Sequence, residues 1–173
     1  ECGLESVKMY IAPTKEHLLA KFGKKFKNIN EARVFCLEKV DDSIRYAKKR
    51  GIGVISYTAE DMTSTLFSVE DKDFSYKVIG TALDLGATRI SIPDTRGRVT
   101  PFEAENMIDD FKKNFASYNV EIETHFHNDL GLATANAIAA VKKGVGFVHT
   151  TVNGMGERVG ITPFGTIPKG DKS

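Results

Sequence analysis

Short apolar segments with the composition of β-strands alternate with longer helical segments along the chain. Between the apolar segments, hydrophobic residues recur at helical spacing and glycines end the helices. Strict alternation of strand and helix predicts parallel strands joined by helical crossovers. Two architectures follow from it, an open doubly wound sheet and a (β/α) barrel. The five predicted strands are Val7–Ala12, Gly53–Tyr57, Thr88–Ile92, Glu121–His127 and Phe147–Val152.

The predicted helices lie between these strands. In the third interval, Pro101 stands at the first helical position, where proline is favoured, and Thr100 precedes it as the predicted N-cap. Cys36 falls on the apolar face of its helix, which predicts a buried thiol. The predicted ranges are 30–50, 74–85, 101–118 and 132–143.

Composition excludes several classes of protein. The 173 residues are 41% hydrophobic and 27% charged, as in an ordinary soluble domain. With 24 basic and 23 acidic residues, the net charge of +1 gives no electrostatic case for binding nucleic acid or an anionic membrane. No apolar run reaches the ~18–20 residues of a membrane span, and the first residues lack a signal peptide's pattern. A cytoplasmic location is therefore expected.

Polar side chains follow the predicted strands at their C-terminal ends. Function at these ends is typical of a (β/α)8 barrel. No GxGxxG segment follows the first strand, which argues against a dinucleotide-binding sheet. Only five units are predicted where eight close a barrel, so we expect a partial barrel with both ends cut. These polar residues are Thr14, Thr58, Glu60, Asp61, Asp94, Thr95, His125, His127, Asn128, Asp129, Asn153, Glu157 and Arg158.

Two histidines close the predicted fourth strand. Side chains two apart in a strand share a face, so His125 and His127 point the same way and Phe126 points opposite. Two adjacent imidazoles could hold one divalent metal, each through a nitrogen about 2.0–2.2 Å away. The alternative is two polar residues that merely finish a strand.

Four segments together resemble a known family. THFHNDLGLATAN, SIPDT, SYTAED and VNGMGERVG are similar to motifs of the metal-dependent acyl-CoA-condensing barrels of the HMGL-like, pyruvate carboxyltransferase type. That family includes 2-isopropylmalate, homocitrate and citramalate synthases, with 3-hydroxy-3-methylglutaryl-CoA lyase as a more distant relative. The resemblance covers nearly the whole chain and implies an α/β fold, a (β/α)8 TIM barrel. Residues 1–173 would be a partial catalytic domain that spans the family's third to seventh strands.

The resemblance also implies roles for residues around a metal. His125 and His127 match the metal ligands, and the cofactor would be a divalent ion such as Zn, Mn, Mg or Co. Thr95 and Thr58 match hydroxyls that bind the carboxylate of a 2-oxo acid. Glu60 matches a pocket carboxylate and is the candidate catalytic acid or base.

Further residues are expected to support this site. Asn128 and Asp129 are candidates to orient the imidazoles, although Asp129 could instead be the N-cap of the following helix. Glu157 and Arg158 are expected to form a local ion pair in the 154–160 loop, which in the family closes near the acyl-CoA. His17 lies in a charged stretch and is predicted to be solvated, whereas His149 is predicted to be a core or lumen histidine.

Three positions depart from family patterns. The segment 160–163 reads GITP instead of Arg-Ala-Gly-Asn and resembles the homocitrate-synthase branch. That branch commonly has an arginine where this chain has Ser56. Lys8 stands where isopropylmalate synthases often have a histidine.

The expected activity is the condensation of acetyl-CoA with a small 2-oxo acid in amino-acid biosynthesis, by a homodimer of the full-length protein. The first alternative is a carbon–carbon lyase on the same scaffold. The family's lyases typically carry a cysteine in the glycine-rich loop, and its absence from residues 154–160 favours the synthase. The second alternative is a non-catalytic fragment that still binds metal.

Overall fold

Five parallel strands form one sheet in the order in which they occur along the chain. The structure is a computed structural model and describes residues 3–167. Each strand pairs in parallel with the next, which confirms the predicted α/β arrangement. The first and last strands are the two edges of this sheet. The strands are β1 (Ser6–Ile11), β2 (Val54–Ala59), β3 (Arg89–Asp94), β4 (Glu121–Phe126) and β5 (Phe147–Val148).

Five α-helices connect the strands, and their ends follow local signals. The Ser68 side chain accepts a hydrogen bond from the Asp71 N–H, so the third helix begins earlier than its apolar pattern indicates. Thr100 and Glu103 form a reciprocal capping box, which confirms the predicted N-cap. The helices are α1 (Lys15–Phe22), α2 (Ile29–Lys49), α3 (Val69–Asp84), α4 (Pro101–Asn114) and α5 (Ala133–Lys142).

Two parts of the predicted pattern differ from the structure. Helix α1 was not predicted, because half of its eight residues are polar and only Leu18 is fully buried. Strand β5 has two residues instead of the six predicted. Beyond His149, the backbone of Thr151 pairs with the segment at Thr162 and Pro163 instead of with β4.

The two faces of the sheet differ in character because successive side chains alternate. One face packs against the helices and is apolar; Phe126 and Ile90 are fully buried there. Truncating a buried aromatic such as Phe126 to alanine would cost about 3–5 kcal/mol. The opposite face, which we call the inner face, is polar. By register it carries Lys8, Ser56, Thr58, Ser91, Glu123 and His125.

Within residues 3–167, no helix is long and apolar enough to cross a membrane.

Cys36 is a buried free thiol on α2, as predicted. Burial raises the pKa of this thiol to about 12, because the charged thiolate would lose its hydration.

Candidate metal centre and active site

The end of β4 brings two imidazole nitrogens together. The Nε2 atoms of His125 and His127 lie 3.3 Å apart on the inner face. His127 is 7% exposed. Burial lowers the pKa of His125, and the nearby His127, His149 and Lys8 lower it further by electrostatic repulsion, to about 4. The His125 imidazole is therefore neutral at pH 7, which is the form that ligates a metal.

This pair fits a divalent ion. Two nitrogens at about 2.1 Å from one ion, at a tetrahedral angle, are about 3.4 Å apart. The observed 3.3 Å is close to that spacing. The nitrogen of His127 that faces His125 is Nε2, and its Nδ1 is buried without a hydrogen-bond partner in the described part of the chain. Residues 3–167 contain no group of three or more His, Cys, Asp or Glu that could hold a metal. In this part of the chain, His125 and His127 are therefore the two candidate imidazole ligands.

A charged cluster lies on the inner face beside the histidines. The Lys8 ammonium forms an ion pair with Glu123 and lies 2.7 Å from His149 Nε2. Ser56 donates a hydrogen bond to the same Glu123 oxygen at 3.1 Å. Burial alone would raise the pKa of Glu123, but hydrogen bonds from His149 and Lys8 outweigh it and lower the pKa to about 2. Glu123 is therefore an ionised carboxylate held by its neighbours.

Sequence reasoning did not find this cluster as a unit. The His149 ring centroid lies 5.5 Å from that of His125, which places the predicted lumen histidine beside the candidate metal ligands. The signal was present in the strand pattern, since Lys8 and Glu123 are charged residues at inward positions of two strands. Their pairing across the sheet depends on the tertiary structure.

Two threonine hydroxyls face the same end of the sheet. Asp94 pairs with Phe126, so Thr95 and His127 are the first residues after the paired ends of β3 and β4. Thr95 Oγ1 accepts a hydrogen bond from the backbone N–H of Asp61 at 2.8 Å. Thr58 Oγ1 is buried and has no partner in the described part of the chain. Both hydroxyls therefore retain a proton that could be donated to a ligand.

Glu60, the predicted acid or base, is held by a residue that sequence reasoning missed. Its side chain is 21% exposed and accepts a hydrogen bond from the Lys21 ammonium at 2.5 Å. Lys21 lies on α1, so this helix reaches over the C-terminal end of β2. Thr14, His17 and Lys21 are spaced three and four apart, which places them on one helical face and could have revealed this contact.

His17 is not simply solvated, and that prediction is wrong. Its side chain is 22% exposed, and Nδ1 lies 3.0 Å from Asp61 Oδ2. The missed helix α1 explains the error, because it turns His17 toward the end of the sheet.

The loop after β4 is organised differently from the prediction. The N-cap of α5 is Leu132, so the N-cap interpretation of Asp129 is wrong. The Asn128 side-chain oxygen accepts from the Ala133 N–H at 3.1 Å, and Asn128 therefore satisfies the first turn of α5. Neither Asn128 nor Asp129 is hydrogen-bonded to an imidazole in the described residues.

Asp129 is instead the partner of Arg158. Two guanidinium nitrogens of Arg158 donate to its two oxygens at 2.7 and 2.8 Å. The hydrogen bond from Arg158 lowers the pKa of Asp129. Arg158 also donates to the Thr95 carbonyl at 2.9 Å. Among the ion pairs of residues 3–167, Arg158 therefore pairs with Asp129, whereas the predicted local pair was with Glu157.

The glycine-rich loop packs directly against the histidine strand. The Asn128 N–H donates to the Gly160 carbonyl at 3.0 Å, and His127 forms a bridge with Ile161. Gly160 has a φ of +93°, and a Cβ there would lie 2.0 Å from the Gly154 carbonyl oxygen. Only glycine fits this close approach, so the loop's return to the site requires it.

Comparisons with known proteins agree on one family. The HMGL-like family model matches residues 1–168. A 2-isopropylmalate synthase of Sulfurisphaera tokodaii is 41% identical over 160 residues, which cover 92% of this chain and 38% of that protein. A homocitrate synthase of the same organism is 44% identical over 131 residues, 76% of this chain and 27% of that protein.

The solved structures that resemble this chain show its fold. The HMG-CoA lyase of Bacillus subtilis superimposes with a TM-score of 0.73 at 17% identity, over 93% of this chain and 53% of that one. The hydroxymethylglutaryl-CoA lyase of Pseudomonas aeruginosa gives a TM-score of 0.69 at 15% identity, with 94% and 53% covered. At these identities the likeness concerns the fold alone. The five strands and their helices are thus part of a (β/α)8 barrel.

Proposed function

The chain belongs to the HMGL-like family, and on that premise we propose that it forms part of the active site of a metal-dependent synthase. The proposed reaction joins acetyl-CoA to a small 2-oxo acid. Relatives named 2-isopropylmalate synthase and homocitrate synthase support a condensing enzyme of this kind. The chain spans 38% of the first of these proteins, so the activity is proposed for the full-length protein.

One observation carries the proposal. Two imidazole nitrogens lie 3.3 Å apart at the end of β4, with the Thr95 hydroxyl at the adjacent strand end. This arrangement combines ligands for a cation with a hydrogen-bond donor for a carboxylate. A 2-oxo acid carries both a carboxylate and a keto oxygen, and it therefore matches the arrangement.

A bound divalent ion, held by His125 and His127, would polarise the keto group as a Lewis acid. In the reaction, a base removes a proton from the acetyl methyl group, and a carbon–carbon bond forms at the keto carbon. The keto oxygen takes up a proton, and water then cleaves the thioester to release the thiol of CoA. Each proton lost and gained needs a group that can carry it.

The residues of this chain have distinct parts in that sequence. Thr95 and Thr58 would donate hydrogen bonds to the carboxylate of the oxo acid, because each retains a free hydroxyl proton. Glu60 is the candidate to carry a proton, with its charge balanced by Lys21. Arg158 joins the glycine-rich loop to Asp129 and Thr95, and would exclude water from that side of the site.

The full-length protein provides the test. Thiol release from acetyl-CoA is followed with a panel of 2-oxo acids, with and without a chelator. We expect release with at least one oxo acid, its loss on chelation, and its return when a divalent metal is added. The same protein is assayed for cleavage of 3-hydroxy-3-methylglutaryl-CoA. Cleavage without condensation would show that the scaffold operates as a lyase. The absence of both activities would contradict the proposal.

A further inference from the structure

Asp61 is a fully buried carboxylate that receives hydrogen bonds from three separate parts of the chain. Oδ1 accepts from Ser64 Oγ at 2.7 Å and from Arg96 Nε at 3.0 Å. Oδ2 accepts from a second Arg96 nitrogen at 3.1 Å and from Thr14 Oγ1 at 3.2 Å, and His17 Nδ1 lies 3.0 Å away. The residue is 0% exposed. The contacts use essentially all of the acceptor positions of a carboxylate, so the charge is fully compensated.

The backbone of Asp61 acts on a residue of the proposed site. Its N–H donates to Thr95 Oγ1 at 2.8 Å. Since that hydroxyl already accepts one hydrogen bond, its own proton is directed elsewhere and is available to a ligand. Asp61 therefore holds the Thr95 hydroxyl oxygen in place and leaves its proton for another partner.

The same residue holds Glu60 from the other side. Asp61 adopts a left-handed backbone conformation, with φ 63° and ψ 25°, directly after Glu60. Such a conformation costs a non-glycine residue about 1 kcal/mol or more, and it persists where side-chain contacts over-determine it. The anchored carboxylate thus sets the course of the backbone that carries Glu60. Lys21 of α1 then pairs with the Glu60 side chain.

We propose that Asp61 is a positioning residue that places Glu60 and Thr95 for the condensation, by fastening α1 and Arg96 to the end of β2. The inference rests on the proposed function for its kinetic consequence. In this role Asp61 would touch neither substrate nor metal and would act through Glu60 and Thr95, the two residues proposed to serve the reaction.

The substitution Asp61→Asn in the full-length protein tests this role. Asparagine tolerates the left-handed conformation, so the change removes the charge and part of the acceptor capacity without new backbone strain. With metal present, we expect KM for the oxo acid to rise and kcat to fall, each by about tenfold. KM for acetyl-CoA should change by less than about twofold. Unchanged kinetics in a folded variant would overturn the inference.

Glu16→Gln is the matched control. Glu16 is an exposed second partner of Arg96, at 2.5 Å, and its removal leaves the Asp61 contacts in place. We expect kinetics within about twofold of the unsubstituted protein, as for most exposed ion pairs. An equal loss in both variants would mean that surface charge on Arg96 is responsible, and would contradict a role for Asp61.

Two further measurements separate this inference from the proposed function. Hydrogen–deuterium exchange is compared over residues 58–65 and 94–99 in the unsubstituted, Asp61→Asn and Glu16→Gln proteins. Faster exchange in both segments of Asp61→Asn alone supports the fastening, even if no oxo acid is condensed and the proposed function fails. Unchanged exchange overturns it. If Asp61→Asn does not fold, Arg96→Gln replaces it, with the same expected directions.

Discussion

The Nε2 atoms of His125 and His127 lie 3.3 Å apart on one face of β4, a spacing that suits two ligands of a single ion. We expect the full-length protein with His125→Ala and His127→Ala to lose its bound divalent metal after gel filtration, as measured by elemental analysis. His149→Asn removes a third imidazole nearby, at 5.5 Å between ring centroids, and should leave the stoichiometry unchanged. Retention of metal in the double variant would refute the assignment.

Thr95→Ala and Glu60→Gln should separate substrate binding from chemistry. Loss of one hydrogen bond to a carboxylate costs about 1.5–3 kcal/mol, so Thr95→Ala should raise the KM of the oxo acid by about 10- to 100-fold. Thr95→Ser keeps the hydroxyl and should retain most of the affinity. Glu60→Gln should chiefly lower kcat, because the amide cannot carry the proton. A kcat within twofold of the unsubstituted protein would leave Glu60 only an orienting role.

Arg158→Lys should impair the site with little loss of stability. A lysine cannot reproduce the two-nitrogen contact with Asp129 and also reach the Thr95 carbonyl. Because the Arg158 side chain is 42% exposed, its ion pair should contribute only about 0–1 kcal/mol to unfolding. We expect kcat/KM to fall by about tenfold at an almost unchanged Tm. Arg45→Lys, in an exposed pair on α2, is the control. A fall in Tm that accounts for the lost activity would argue for a purely structural role.

Lys8→Met should destabilise the protein more than the double substitution Lys8→Met with Glu123→Gln. Removing the lysine leaves the Glu123 carboxylate, whose side chain is 5% exposed, with fewer compensating donors. Breaking a buried ion pair from one side costs about 3–5 kcal/mol, and the remaining contacts from Ser56 and His149 should reduce that to about 2 kcal/mol. Denaturant unfolding of the two variants gives the comparison. An equal loss of unfolding free energy in the single and double variants would show that the unpaired Glu123 charge is not the cause of the destabilisation.

Cys36 should react with alkylating reagents only when the chain unfolds. Its pKa is about 12 in the folded protein against an ordinary value of 9.0, so the folded chain holds the proton that the unfolded chain loses. The stabilisation from this group is present below pH 9 and declines as pH rises from about 9 towards 12. Iodoacetamide labelling at pH 8, located by peptide mass spectrometry, should be slow in buffer and fast in urea. Rapid labelling of Cys36 in buffer would mean that α2 opens locally.

The sequence by itself determined the first four strands, the position of the fifth, their parallel arrangement and the candidate ligands. Alternation places His125 and His127 on one face of β4 whatever surrounds them, because a strand has a period of two residues. The capping signal at Thr100 is equally local, and the structure has it as predicted. Motif spacing was sufficient to identify the family, because the motifs occur in short contiguous segments.

Only the tertiary structure decided which hydrogen bonds and ion pairs join the loops at the strand ends. His17, Lys21 and Arg96 each lie far in sequence from a partner at the end of β2. The spacing of Thr14, His17 and Lys21 indicates a shared helical face, but not the residues that this face meets. Arg158 likewise could pair with its neighbour Glu157 or reach across to Asp129, and sequence spacing favoured the wrong choice. The energy of such contacts depends on burial and on distance in space, which local patterns of residues do not encode.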